Sequence, residues 1–359
     1  TISDGVWSLY KPLCQSFFDW AFDYLSNINL PLDNYISRCN DRFLAHPEHV
    51  ETVYKIIERV LQTDEQSGER DCVEACKLSE SLILNCMGKI DAVIPPILNL
   101  IVHRFRTNPP QKEHCRAEFL KCVANCLYYN PEGTAMALEQ AGATNEIFQI
   151  WLEALRAREE EVQEGQALGN KTHFRSLHDK KVCILGLSSI LRVPATSLPP
   201  TLQSGMSFIV QSIMELLQDI ETEKKRKEET GGDDEDDDDD EEEGIIDVDD
   251  DCDEELVKED MDDLLAKLSQ FKDGDGWDDL FGDEEDDDEY TSPIDDVDEL
   301  IFFVENFTML QTNFPNETQA LTSSFPPEGQ GLLQAIIAQA PQRAAENAAK
   351  KAQEKAAGQ

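Results

Sequence analysis

Residues 6–26 read VWSLYKPLCQSFFDWAFDYLS, and their spacing decides the fold class. The polar positions Ser8, Lys11, Gln15, Asp19 and Asp23 recur every three or four residues. Between them the chain is apolar, with Trp7, Leu13, Phe17, Trp20, Phe22 and Leu25. That period is helical. A helix with so thin a polar stripe is expected to be covered on several sides, as helices in the middle of a stack are.

Working outward, the same period persists to residue 220. Residues 49–62 carry a one-sided stripe of Val53, Ile56, Ile57, Val60 and Leu61. Residues 71–87 and 91–105 form a pair broken by Gly88 and led by Asp91 as the expected N-cap. Residues 112–129 arrange Arg116, Leu120, Val123, Ala124, Leu127 and Tyr128 about one apolar stripe that ends at Asn130-Pro131. Further helices fit 133–141, 144–158, 178–192 and 201–222, then 294–312 and 329–357. Sustained alternation is lacking, and no Asn-Gly or Asp-Gly joins two β-rich runs. The ordered chain is therefore all-α. Short connectors between helices and a spacing of roughly 40 residues predict a HEAT/armadillo-type α-solenoid of antiparallel helix pairs. An irregular helical bundle is the competing architecture.

A second feature interrupts this pattern. Residues 233–289 hold 33 Asp or Glu against three Lys, most of the chain's formal charge of −43. Such a block cannot bury its charge and repels itself into an extended state, so a long disordered acidic insertion is expected between helices. A segment of that length inside an ordered chain is usually functional. The expected organisation is a solenoid over 1–222, the insertion over 223–292 with a short amphipathic helix at 254–271, and C-terminal helices over 293–359. The chain opens at Thr1 without Met, which points to part of something longer.

Within the block, Asp236, Asp237, Asp238, Asp239, Asp240 and Glu241 form an uninterrupted acidic run. Val257, Met261, Leu264, Leu265 and Leu268 share one face of the amphipathic island, and Trp277 and Phe281 mark a second. A pure solvating spacer has no need of Trp and Phe. These residues are the candidate cargo-binding set, either docking motifs for a basic protein or a lid folding back on the solenoid. Local helix with no partner is the bland reading.

Other signals exclude more than they assign. A sequence pI of 4.3 argues against direct nucleic-acid binding and for basic protein partners. Apolar windows are cut by charge or Pro well before 18 residues, so no membrane span is expected. Cys72, Cys76, Cys86, Cys115, Cys122, Cys126 and Cys183 lie in apolar helical windows, the habit of reduced, packed thiols rather than zinc ligands. Lys224-Lys225-Arg226-Lys227 reads either as a nuclear localisation signal or, more simply, as charge compensation beside the acids. Asp273-Gly274-Asp275-Gly276 is similar to a calcium loop but has Asp278 where the turn glycine belongs. His173 and His178 flank a loop start with no nucleophile near them in sequence. No catalytic constellation, cofactor loop or metal-ligand spacing is found, so neither an enzyme nor a cofactor is expected.

Several stretches together resemble one family. These are Leu127-Tyr128-Tyr129-Asn130-Pro131, the run from Leu177-His178-Asp179-Lys180-Lys181 to Gly186-Leu187, Leu264-Leu265-Ala266-Lys267 with Trp277 in the block, and Asp298-Glu299-Leu300-Ile301-Phe302. In this order they resemble the C-terminal third of the importin seven/eight group of importin-β karyopherins. The resemblance implies a nuclear transport receptor that shuttles between cytoplasm and nucleus through the pore. It would bind basic cargo, with ribosomal proteins and histones as known classes, meet Phe-Gly nucleoporins, and release cargo to Ran-GTP. The N-terminal repeats where Ran-GTP chiefly binds are outside this sequence, so no Ran-binding residue is carried over. A non-shuttling acidic chaperone or scaffold for histones or other basic proteins is the alternative.

Overall fold

A computed structural model describes residues 2–62, 67–156, 173–230 and 292–357. The described elements are helices joined by turns, with no strand among the described residues. In chain order they are α1 (Asp4–Trp7), α2 (Tyr10–Asp19), α3 (Leu25–Ser37), α4 (Asn40–Leu44), α5 (Pro47–Gln62), α6 (Glu69–Asn85), α7 (Ile94–Thr107) and α8 (Glu113–Tyr129). There follow α9 (Pro131–Gln140), α10 (Thr144–Arg156), α11 (Leu177–Ser189), α12 (Pro200–Thr230), α13 (Glu299–Asn313), α14 (Pro315–Ser323) and α15 (Pro327–Ala357). The chain divides into two compact units, residues 1–226 with 293–359, and residues 227–292. The second consists almost wholly of residues outside the described set, so the account below concerns the first.

Two rows of helices build that unit. In one row α3 packs on α6, α6 on α8, α8 on α11, α11 on α13 and α13 on α15. In the other, α2 packs on α5, α5 on α7 and α7 on α9. Cross-links such as α5 on α6 and α7 on α8 make each repeat a helix pair, so the stack is the HEAT/armadillo-type solenoid the spacing predicts. Polar side chains repeat at the same interval along the first row. Asn29 Nδ2 donates to Glu74 (carbonyl 2.9 Å, carboxylate 2.6 Å), 45 residues on. Asn40 donates to the Asn85 carbonyl (2.8 Å) and Asn125 to the Glu80 carboxylate (2.7 Å), again 45 residues apart. A register fixed by buried and half-buried amides resists slippage between otherwise similar apolar faces.

Local chemistry explains where helices start and stop. α5 buries Val53, Ile56, Ile57, Val60 and Leu61, the predicted stripe, worth roughly 8–15 kcal/mol gross before chain entropy is counted. Asn130 ends α8 and caps α9, its side chain accepting from the Gly133 N–H at 2.9 Å. α9 closes in a Schellman turn. Gly142, at φ +62°, lets its own N–H reach Glu139 and the Ala143 N–H reach Leu138.

The N-terminal expectation needs correcting. Residues 6–26 are not one covered helix: α1 is a single turn, α2 ends at Asp19, and Trp20 adopts φ −158°, ψ −13° before a turn into α3. Leu9, Trp20 and Tyr24 are exposed, Trp20 by 74%, so aromatic content overstated the coverage. α3 was not expected, because Pro31 sits inside it and polar Asn interrupts its stripe. Asp91 does not cap α7, whose N-cap position is Val93. α8 shows no single stripe, since Cys115 and every residue from Ala117 to Leu127 are buried. The C-terminal helix begins at Glu299 rather than 294, with Asp298 as its cap. α14 is a further element beyond those expected.

The nine described cysteines are unpaired and, Cys39 apart, buried. Burial pushes the Cys14 and Cys86 thiols up to about 11, which keeps them protonated and inert. No described helix is long and apolar enough to cross a membrane. Asn306, the first residue of an Asn-x-Thr triplet, is fully buried and donates to the Phe302 carbonyl at 2.6 Å, which closes it to glycosylation.

Candidate functional site

The charged chemistry of the described chain gathers around the first turn of α11. Ser176 caps that helix, its hydroxyl accepting from the Asp179 N–H at 3.0 Å. The four residues His178, Asp179, Lys180 and Lys181 then fan out to four different elements. His178 Nε2 lies 2.7 Å from Glu80 Oε1 on α6, and Asp179 lies 2.6 Å from Lys121 Nζ on α8. Lys180 pairs with Glu223 on α12, and Lys181 donates to the Asp295 carbonyl at 3.0 Å. A helix whose remaining residues, the terminal Ser188 and Ser189 apart, are apolar or glycine is thereby fixed in rotation and height by one polar turn.

Three carboxylates, Glu80, Glu118 and Asp179, surround a single permanent cation, Lys121, with Glu118 at 2.7 Å and Asp179 at 2.6 Å. Burial disfavours the charged form of each group, and the neighbours decide which keeps its charge. Burial raises the Glu80 carboxyl, but hydrogen bonds from His178 and Asn125 and the Lys121 charge outweigh it and hold it at about 2. Glu118 has no such surplus: burial, with Asp179 and Glu80 near, pushes it up to about 7 despite Lys121. Lys121 is opposed by burial yet held well above its ordinary value by the three carboxylates, and His178 is raised by Glu80. The cluster thus offsets its excess of carboxylates by favouring a proton on Glu118, about half occupied near pH 7, and by favouring the charged form of His178.

The pH dependence follows with a definite sign. A raised His178 stabilises fully below its unfolded value and loses that contribution as pH rises through its folded value. A lowered Glu80 stabilises above its unfolded value and loses that as pH falls toward about 2. His178→Asn is therefore expected to cost the chain most between about pH 4.5 and 6.5. The deficit shrinks at higher pH, as urea unfolding across that range would show.

A second group holds the two edges of the acidic block. Lys224 on α12 lies 2.8 Å from the buried Glu299 of α13. Arg343 on α15 pairs with Glu221 on α12 and sits 2.9 Å from Asp298. Asp298 also accepts from Asn347 at 2.9 Å and from the N–H groups of Leu300 and Ile301 at 3.1 and 3.0 Å. Those donors outweigh burial and lower its carboxyl. The residues just before and just after the block are thus tied into one charged seam.

Of the predicted site residues, Asp236–Glu241, Val257, Met261, Leu264, Leu265, Leu268, Trp277 and Phe281 all lie outside the described residues, as does the Asp273–Asp278 loop. In the basic run, Lys224 meets Glu299 beyond the block. The buried cluster around Lys121 was missed. Its sequence signal was Glu118, Lys121 and Asn125 at helical spacing in the otherwise apolar stretch 117–127 of α8.

Comparison with known proteins gives relatives but no solved structure and no family model that matches. The chain is 33% identical to the importin beta-like SAD2 homolog of Arabidopsis thaliana across 96% of its own length and 33% of that protein. It is 30% identical to the probable importin-7 homolog of Dictyostelium discoideum across 61% of its length and 19% of that protein. Importin-8 of Danio rerio is 30% identical over 60% of the chain and 20% of its own length. The chain thus spans a third or less of the curated relatives it matches.

Proposed function

We propose that this chain, which belongs to the importin-β family in the importin-7/8 group, is the C-terminal part of a nuclear transport receptor that holds basic cargo with its acidic block. The observation that carries the reading is the placement of 33 acidic residues between helices of an importin-like solenoid, with both edges pinned by the Lys224, Arg343 and Asp298 contacts. In sequence the block lies between helices rather than at a terminus, so its charge is tethered on both sides. Basic proteins such as ribosomal proteins and histones fit that field. In the whole receptor, Ran-GTP would act through repeats outside this sequence, and Phe-Gly nucleoporins would carry the complex through the pore. The assembly would shuttle between cytoplasm and nucleus, and no catalytic step belongs to it.

Titration with a core histone tests the reading. Affinity is expected to fall roughly 10-fold or more between 0.05 and 0.3 M salt as screening shortens the reach of the block. Removing residues 233–289 is expected to abolish most of the low-salt affinity. Binding that ignores salt, or survives the deletion intact, removes the block from cargo capture. A non-shuttling acidic chaperone would bind the histone equally but show no affinity for Phe-Gly repeats, so a repeat-binding assay separates the two classes.

A further inference from the structure

A shallow cleft, open to solvent, runs between the start of α13 and the second half of α15. It exists because α15 changes character along its length. Leu333, Ile336 and Ala340 are buried, but the helix then continues with Ala344 and Ala348, too small to fill the space beside α13. Val297, Ile301 and Phe302 are left as an apolar floor.

The rim is acidic and only partly neutralised. Asp298 is saturated by Arg343 and Asn347. Asp296, whose side chain is 89% exposed, meets Lys351 alone among the described residues, at 3.4 Å. Glu305 is exposed and makes no ion pair among the described residues. The chain's own Lys351 already shows how an ammonium group sits on this rim. Asp296 and Glu305, the two rim carboxylates left available, bracket Val297, Ile301 and Phe302 along the chain. Basic groups on both sides of one aliphatic side chain match that pattern: charge to the two carboxylates, carbon to the floor.

We propose that this cleft is a docking groove for a short Lys/Arg-rich segment of a partner protein, anchored by one aliphatic residue. The proposal rests on the basic-cargo reading and adds to it a site that selects carbon as well as charge. Charge alone would make every polycation equivalent, whereas a groove ranks them.

The probe is a fluorescent Lys/Arg-rich peptide with one central leucine, compared by anisotropy with the same peptide carrying serine there. The leucine peptide is expected to bind the whole chain about 10-fold more tightly, the size of effect a single buried aliphatic anchor supplies. Ala348→Trp fills the cleft from an exposed helical position, and Glu305→Lys reverses its rim. Each is expected to erase the leucine preference while leaving salt-sensitive binding of both peptides and the thermal unfolding midpoint in place. Equal binding of the two peptides, or a leucine preference that survives both substitutions, overturns the groove and leaves the basic-cargo reading standing. Failure of both peptides to bind even at low salt overturns the basic-cargo reading and the groove with it.

Discussion

Gly186→Ala destabilises the chain by at least about 2 kcal/mol, although alanine is the better helix former. A Cβ at residue 186 would stand 2.6 Å from the Ala124 carbonyl oxygen, 2.7 Å from its Cα and 2.8 Å from its Cβ. Those atoms belong to the backbone and first carbon of α8, so no side chain can swing aside. The two helices must separate, and with them the buried contacts on either side, because both are buried along most of their length. The same substitution at Gly205 on α12 meets nothing within 4 Å. There it is expected to stabilise by up to about 1 kcal/mol, from helix propensity and reduced freedom of the unfolded chain. Urea unfolding of the two variants in parallel checks the argument. Equal shifts would mean that α8 and α11 do not touch at this point.

Lys121→Met is the second large effect. The side chain keeps its packing but removes the only permanent cation among Glu80, Glu118 and Asp179. Breaking a buried ionic group by deleting one partner typically costs about 3–5 kcal/mol, and this loss is expected near pH 7.5. The sign with pH is fixed by Glu118, whose folded value of about 7 lies above its unfolded one. Such a group stabilises below its unfolded value, and the contribution disappears as pH rises through the folded value. Without Lys121 that folded value moves higher still. The variant is therefore expected to recover toward wild-type stability by about pH 5 and to fall behind steadily above it. A deficit independent of pH would show that Lys121 contributes through packing alone.

Much of the solenoid was legible because most of its helices bury one face and expose the other. α5 is the clear case, where all five residues of the expected stripe are buried. Legibility failed where periodicity and burial part company. Trp20 and Tyr24 carry the apolar period of residues 6–26 yet face solvent, and Pro31 hides α3 inside a segment of indifferent pattern. The charged cluster at α11 was legible only in half. Leu177-His178-Asp179-Lys180-Lys181 stood out as a motif, but its roles depend on partners such as Glu80, 98 residues away, and Asp295, 114 residues away. Helical period says which way a side chain points, not what the stacking of repeats will put in front of it.

The sequence distances within the stack also set an order of events. Asn29 with Glu74 and Asn125 with Glu80 close over 45 residues, so neighbouring repeats can assemble locally, one upon the next. Lys181 with Asp295 and Arg192 with Asn306 close over 114 residues, across the acidic block. By loop-closure entropy the longer search costs only about 0.8 kcal/mol more at equilibrium. Its effect falls on timing, since contacts of high sequence separation form late. On the ribosome, α11 would emerge complete with its α6 and α8 partners and then wait, its Lys181 unsatisfied, until α13 is made. The repeat on either side of the block would be a hinge that shuts only after those before it.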